Sequence, residues 1–266
     1  VTAVGVAPPR RVNPRRTLRH GLTLAWRNVA QLKHSPEKLL DTTLMPIVFL
    51  LLFLYVFGGA VAGDTRTYLQ LLLPGLVAQM AMFATQGLGI ALNEDIHRGV
   101  FDRFRSLPIA RSAPLIGTVL GDTVRFFVMM AVLTGFGMLL GFRFQTGPVS
   151  VLAGFALAYV FYLAVSWLSV IVGLLAPTPA TVQGLTFVLV MPLTFGSSVL
   201  VPDTSTMPGW LEAWTKVNPV SHLADAVRAL TIGGPLGDHA WWTLGWAAGI
   251  VAVAFPVAMW LYGRRA

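Results

Sequence analysis

Long apolar runs alternate with short polar segments along this chain. Six runs approach the roughly 20 apolar residues a helix needs to cross a bilayer. They cover about 42–62, 69–92, 113–142, 149–176, 182–201 and 240–262. The pattern predicts an all-α membrane protein with six transmembrane helices, in one transmembrane domain over residues 17–266. The third run is the least clean, because Asp122 and Arg125 lie in its first half. Three residues apart, they share a helical face and are expected to pair. They should sit near the cytoplasmic interface or face protein.

The polar segments carry patterns of their own. Residues 1–16 hold three prolines and four arginines and are expected to be a disordered basic tail. Leu18, Leu22, Trp26, Val29 and Leu32 then recur at helical spacing among Arg19, His20, Arg27 and Lys33. That predicts an amphipathic helix lying in the membrane interface; a packed cytoplasmic helix is the alternative. The long segment 202–239 predicts two short amphipathic helices, dipping into the outer leaflet or capping the bundle. Asn218-Pro219 suits a helix start and Gly233-Gly234-Pro235 a helix stop.

Composition supports the membrane reading. The chain is 55% hydrophobic and 11% charged, against about 45–50% and about 25% in soluble domains. Charge sets the orientation. Residues 1–38, 93–112 and 264–265 carry fourteen Lys and Arg. The intervening outer segments carry four: Arg66, Arg143, Lys216 and Arg228. Both termini are therefore expected in the cytoplasm. Sixteen arginines against three lysines fit a GC-rich bacterial gene, hence a bacterial plasma membrane. The net charge of +8 reads as topology, so no nucleic-acid partner is expected.

The chemistry an enzyme would need is missing. No G-x-x-x-x-G-K-[ST] phosphate loop and no H-E-x-x-H occurs, and there is no cysteine. His20, His34, His97, His222 and His239 are scattered and read as surface or interfacial residues. Four of the six spans contain no ionisable residue, and Asp122 has an arginine beside it to neutralise it. No catalytic residue, metal ligand or cofactor site is expected on this chain. Its energy would have to come from a partner.

The stretch "EDIHRGVFDRFRSLP", residues 94–108, is a charged island between the second and third spans. Drawn as a helix over 95–107, it places Ile96, Val100, Phe101, Phe104 and Leu107 on one face. Arg98, Asp102, Arg103 and Arg105 occupy much of the rest. Asn93 or Asp95 is the expected cap, and Pro108 stops the helix. Two phenylalanines on one face suit a groove on another protein. An interfacial helix that only anchors the turn is the alternative.

"GVFDRFRSLPIARSAPLIG" and the later "PGWLEAW…NPVSHLADAVRAL" resemble type-2 ABC transporter permeases, closest to the daunorubicin-resistance type of membrane subunit. The resemblance covers nearly the whole chain, although Leu107 stands where many members carry a small residue. It implies that Glu94, Asp95, Ile96, Arg98, Gly99, Val100, Phe101, Asp102, Arg103, Phe104, Arg105, Leu107 and Pro108 form a coupling helix seated on a separate ATPase subunit. Two ATPase subunits, carrying the ATP and Mg, would serve this permease and a second copy or related permease. The amphipathic N-terminal helix would touch the ATPase or membrane lipids. The implied cargo is a hydrophobic or amphipathic compound (a drug, antibiotic or polyketide), with a lipid or polysaccharide as alternative. An ion-coupled carrier using Asp122 and a membrane-embedded enzyme are the competing classes. Phe53, Phe57, Phe187 and Phe195 could line the cargo path; lipid contact or bundle packing is the other reading of each.

Overall fold

The computed structural model describes residues 36–100 and 113–264. Every regular element among them is helical. α1 is Pro36–Ala62, α2 Thr65–His97, α3 Ala113–Leu139, α4 Pro148–Leu175 and α5 Pro179–Phe195. A single 3-10 turn, Thr204–Thr206, leads to α6 (Gly209–Val217), α7 (Pro219–Ile232) and α8 (His239–Arg264). The basic tail and the N-terminal amphipathic helix expected from the sequence lie outside the described residues.

Among the described residues five helices are long and apolar enough to cross a membrane: α1, α2, α3, α4 and α8. The run expected as the fifth of six spans, 182–201, differs. Its helix, α5, has 17 residues and ends at Phe195. At about 1.5 Å per residue that is about 25 Å, short of a hydrocarbon core of about 30 Å. The physical reason lies just beyond the helix. The carbonyls of Ser198 and Val199, which a continued helix would use internally, accept instead from the Arg228 guanidinium at 2.6 and 2.7 Å.

α2 is the central element. It packs against α1, α3, α4, α5 and α7. Its most apolar window is 78% buried, whereas that of the peripheral α8 is 17% buried. Leu69, Leu72, Leu73 and Leu76 of α2 enter the main core with Phe126 of α3 and Phe161 of α4. Leu88 and Leu92 enter a second core with Leu115, Trp167, Val170 and Ala258.

The segment before α8 is helical, as its pattern predicts. Asn218 Oδ1 accepts from the Val220 amide at 2.9 Å, capping α7 with Pro219 in its first turn. Gly233, at φ +91°, ends it. α7 buries Val220, Leu223, Ala224, Ala226 and Val227 against the bundle, so it caps one end. α6 is outermost and exposes Trp210 and Trp214.

Arg228 holds this cap end. By its place in the chain it belongs with the outer positive charges, yet it is 6% exposed. It donates to the carbonyl of Leu71 on α2 at 2.9 Å and to Asp225 Oδ1 at 2.7 Å, besides Ser198 and Val199. Ser198 Oγ also reaches Asp225 at 2.8 Å, and the Tyr68 hydroxyl donates to the Leu200 carbonyl at 2.8 Å. The approach requires Gly75: a Cβ there would strike the Val199 carbonyl and stand 2.7 Å from Arg228 Nη2.

Replacing Arg228 with leucine takes the donor from the Ser198 and Val199 carbonyls, while Asp225, 29% exposed, keeps its bond from Ser198 and Leu71 keeps its place in the helix ladder. Each buried carbonyl left without a partner costs about 1–3 kcal/mol. Arg228→Leu and Gly75→Ala should both lower the thermal unfolding midpoint in detergent clearly. Lys216→Ala, which removes an exposed i,i+4 pair with Glu212, should barely move it.

Candidate functional site

The charged island starts on α2 itself. Its helix does not restart near Asn93 or Asp95 but runs unbroken to His97. The expected caps are therefore helix-interior residues. Asn93 is fully buried, and its Nδ2 donates to the carbonyls of Gly173 and Ala176, each at 2.9 Å. It fastens the end of α2 to the end of α4. The i→i−4 ladder continues because nothing interrupts it: the Arg98 amide still reaches the Glu94 carbonyl at 2.9 Å. The break comes at Gly99, whose φ of +68° suits glycine best. Val100 is helical again. Glu94 pairs with Arg98 at 3.4 Å on the surface, and Ile96 packs half-buried on the second core. Phe101, Asp102, Arg103, Phe104, Arg105, Leu107 and Pro108 lie outside the described residues, as do Leu18, Leu22, Trp26, Val29 and Leu32.

Asp122 and Arg125 do pair, and they face protein. Arg125 Nε lies 2.9 Å from Asp122 Oδ1, with both side chains about 15% exposed. The Tyr162 hydroxyl of α4 donates to Asp122 Oδ2 at 2.7 Å. Arg125 also donates to the Ala84 carbonyl of α2. One charge-neutral cluster thus pins α2, α3 and α4 together. It is not an isolated buried acid of the kind a proton relay uses.

A line of amides on α2 lies outside the expected site residues. Gln79, Gln86 and Asn93 recur every seven residues and so share one face. Both amide atoms of Gln79 and Nε2 of Gln86 are buried without a hydrogen-bond partner among the described residues. Two amides at heptad spacing in an otherwise apolar span were the available signal.

The four phenylalanines do not form one group. Phe53 is buried and contacts Phe195 edge-on at 6.0 Å and Phe57 at 5.9 Å. Phe57 and Phe195 remain partly exposed on the outside of the bundle. Phe187 lies two turns before Phe195 on α5 and is exposed.

At the cap end, His222 and His239 face each other with Nδ1 atoms 3.2 Å apart. Trp242 stacks on His222 at 5.6 Å and 11°. Read separately, both histidines look superficial, yet His222 is buried. No local pattern joins residues on two helices, so the pair has no sequence signature. Among the described residues no three His, Cys, Asp or Glu side chains gather as a metal site would require.

The sequence profile of the ABC-2 type transporter family matches residues 20–232. A daunorubicin resistance ABC transporter permease protein of Streptomyces coeruleorubidus is 41% identical over 269 aligned residues, covering 100% of this chain and 92% of that protein. A probable doxorubicin resistance ABC transporter permease protein of Mycobacterium tuberculosis is 29% identical, over 81% of this chain and 78% of its own length. A putative transport permease of Cyanophora paradoxa is 27% identical, over 78% and 72%.

Burial holds the His222 imidazole below its ordinary 6.5, His239 adds to this, and Asp225 opposes it. As pH falls through 6.5, the unfolded chain takes up that proton before the folded one. Stability is therefore complete above pH 6.5 and declines below it. The unfolding midpoint in detergent should be level from pH 8 to 7 and fall towards pH 5.5, and His222→Gln should shrink that fall.

Proposed function

This chain belongs to the ABC-2 type transporter family of multi-pass membrane permeases, and on that premise we propose that it is the permease subunit of an ATP-driven exporter of hydrophobic or amphipathic drug-like compounds. The observation that carries this reading is the 41% identity along the full chain to a permease named for daunorubicin resistance. ATP and Mg would be held by two separate ATPase subunits, since the sequence contains no phosphate loop of its own. A second copy or a related permease would complete the membrane unit. The exposed apolar faces of α1 and α5, including Leu52, Val56, Val188 and Leu189, are surfaces for that copy or for lipid.

In this reading α5 with the turns after it makes a sixth crossing, which puts both ends of the chain on one side. The arginine distribution makes that side the cytoplasm. The segment from Glu94 to Pro108 is then the coupling element between α2 and α3. Nucleotide state in the ATPase pair biases a two-state membrane bundle through it. Displacement of this element reaches α4 through Asn93 and reaches the α2–α3–α4 junction through Arg125 and Asp122. Gly99 lets the coupling element leave the line of α2 sharply. The phenylalanines Phe53, Phe57, Phe187 and Phe195 are assigned to the cargo path, with the partly exposed members available to an apolar cargo entering from the bundle surface.

Copurification tests the coupling role. Phe101→Asp combined with Phe104→Asp should insert normally but lose the ATPase, and undiminished copurification would refute the assignment. The energy source has its own test. Asp122→Asn should leave export driven by ATP and indifferent to a protonophore, whereas an ion-coupled carrier would lose transport with that carboxylate.

A further inference from the structure

α8 carries a second feature that the coupling scheme does not use. Asp238, Trp241, Trp242, Gly245 and Trp246 line a groove of 520 Å³ at the cap end. Trp241, Trp242, Gly245 and Trp246 share one stripe of the helix, and Asp238 lies in the turn just before it. The Asp238 carboxylate is exposed and engages no cation among the described residues. Trp241 is 74% exposed, while Trp242 is fixed from behind by its stack on His222. Gly245 leaves the floor bare, and a Cβ there would meet nothing within 4 Å.

Indole faces attract cations, and the exposed Asp238 carboxylate adds a negative charge beside them. An indole belt that only seats the helix in an interface needs neither an unpaired acid nor an open floor between the rings. We infer that this groove binds an amphipathic organic cation, its charge at Asp238 and its apolar body between Trp241, Trp242 and Trp246. Its role as a cargo contact rests on the export reading; the binding itself does not.

The test uses the purified chain in maltoside micelles, without ATPase. Equilibrium dialysis compares tetraphenylphosphonium with tetraphenylborate, a pair of the same shape and opposite charge, each corrected for empty micelles. The cation should bind and the anion should not. Asp238→Asn and Trp241→Ala should each weaken binding about fivefold, and Gly245→Leu, which fills the floor, about tenfold. Gly245→Ala and Gly249→Leu, the latter one turn beyond the groove, should leave it unchanged. Equal binding of the anion, or indifference to Asp238→Asn and Gly245→Leu in normally folded protein, would overturn the proposal. So would displacement of the cation by phosphocholine, which would make a lipid headgroup the occupant. Equal losses in Gly245→Leu and Gly249→Leu with a change of oligomeric state would make it a second helix. Export that fails while cation binding persists counts against the proposed function alone, and the reverse outcome counts against the groove alone.

Discussion

A bilayer offers no water to a buried polar group, so each must find its partner inside the protein. In this chain that constraint falls on α2, which every neighbour touches. Three of the polar links that reach it follow one scheme. A neighbouring helix brings a donor to a backbone carbonyl of α2, using the lone pair that the helix ladder leaves free. Arg228 does so at Leu71, Arg125 at Ala84 and Ser169 at Thr85. Asn93 reverses the direction and donates from α2 to two carbonyls at the end of α4. Apolar packing supplies the bulk of the contact, and these few bonds set where α3, α4 and α7 sit along its length.

The arrangement gives α2 a mechanical meaning. One end is held by Arg228 among α5, α7 and the turns between them; the other is held by Asn93 two turns before the chain departs at Gly99. A force applied beyond Gly99 meets a helix that is fastened to α4 first and to α3 a few turns further on. The proposed coupling therefore requires no wire of special residues. It needs a stiff helix and bonds that leave its neighbours little freedom to slide.

Most of the fold was legible because apolar run length is a one-dimensional property. Five of the six expected spans are helices of spanning length, and Asn218-Pro219 marks α7 where its chemistry says it should. Asp122 and Arg125 announced their pairing by sitting three apart. The remainder depends on contacts far apart in sequence. Leu200 and Val201 extend the apolar run past Phe195, so composition alone continues a helix that Arg228 ends from 30 residues away. Asn93 looks like a cap beside acidic residues, and only the closeness of α4 makes it a clasp. His222 and His239 look superficial until α7 and α8 are laid together. The proposed coupling element rests on its pattern and family resemblance, and residues 101–108 of it lie outside the described residues.

Two of these devices are the same device. Asp122 with Arg125 and Asp225 with Arg228 are both i,i+3 pairs on a helix beside α2, and in each the arginine continues to an α2 carbonyl. A guanidinium has five donors, and a carboxylate occupies only some of them. The local aspartate cancels the charge, which lowers the cost of burying it. The donors left over tie helices together. An arginine without its aspartate would be too costly to bury, and a neutral donor could not reach several carbonyls at once. The charges inside this bundle thus act as fasteners that leave no net charge behind. That use of buried charge fits the proposed supply of energy from another subunit, because each of these two carboxylates already holds an arginine.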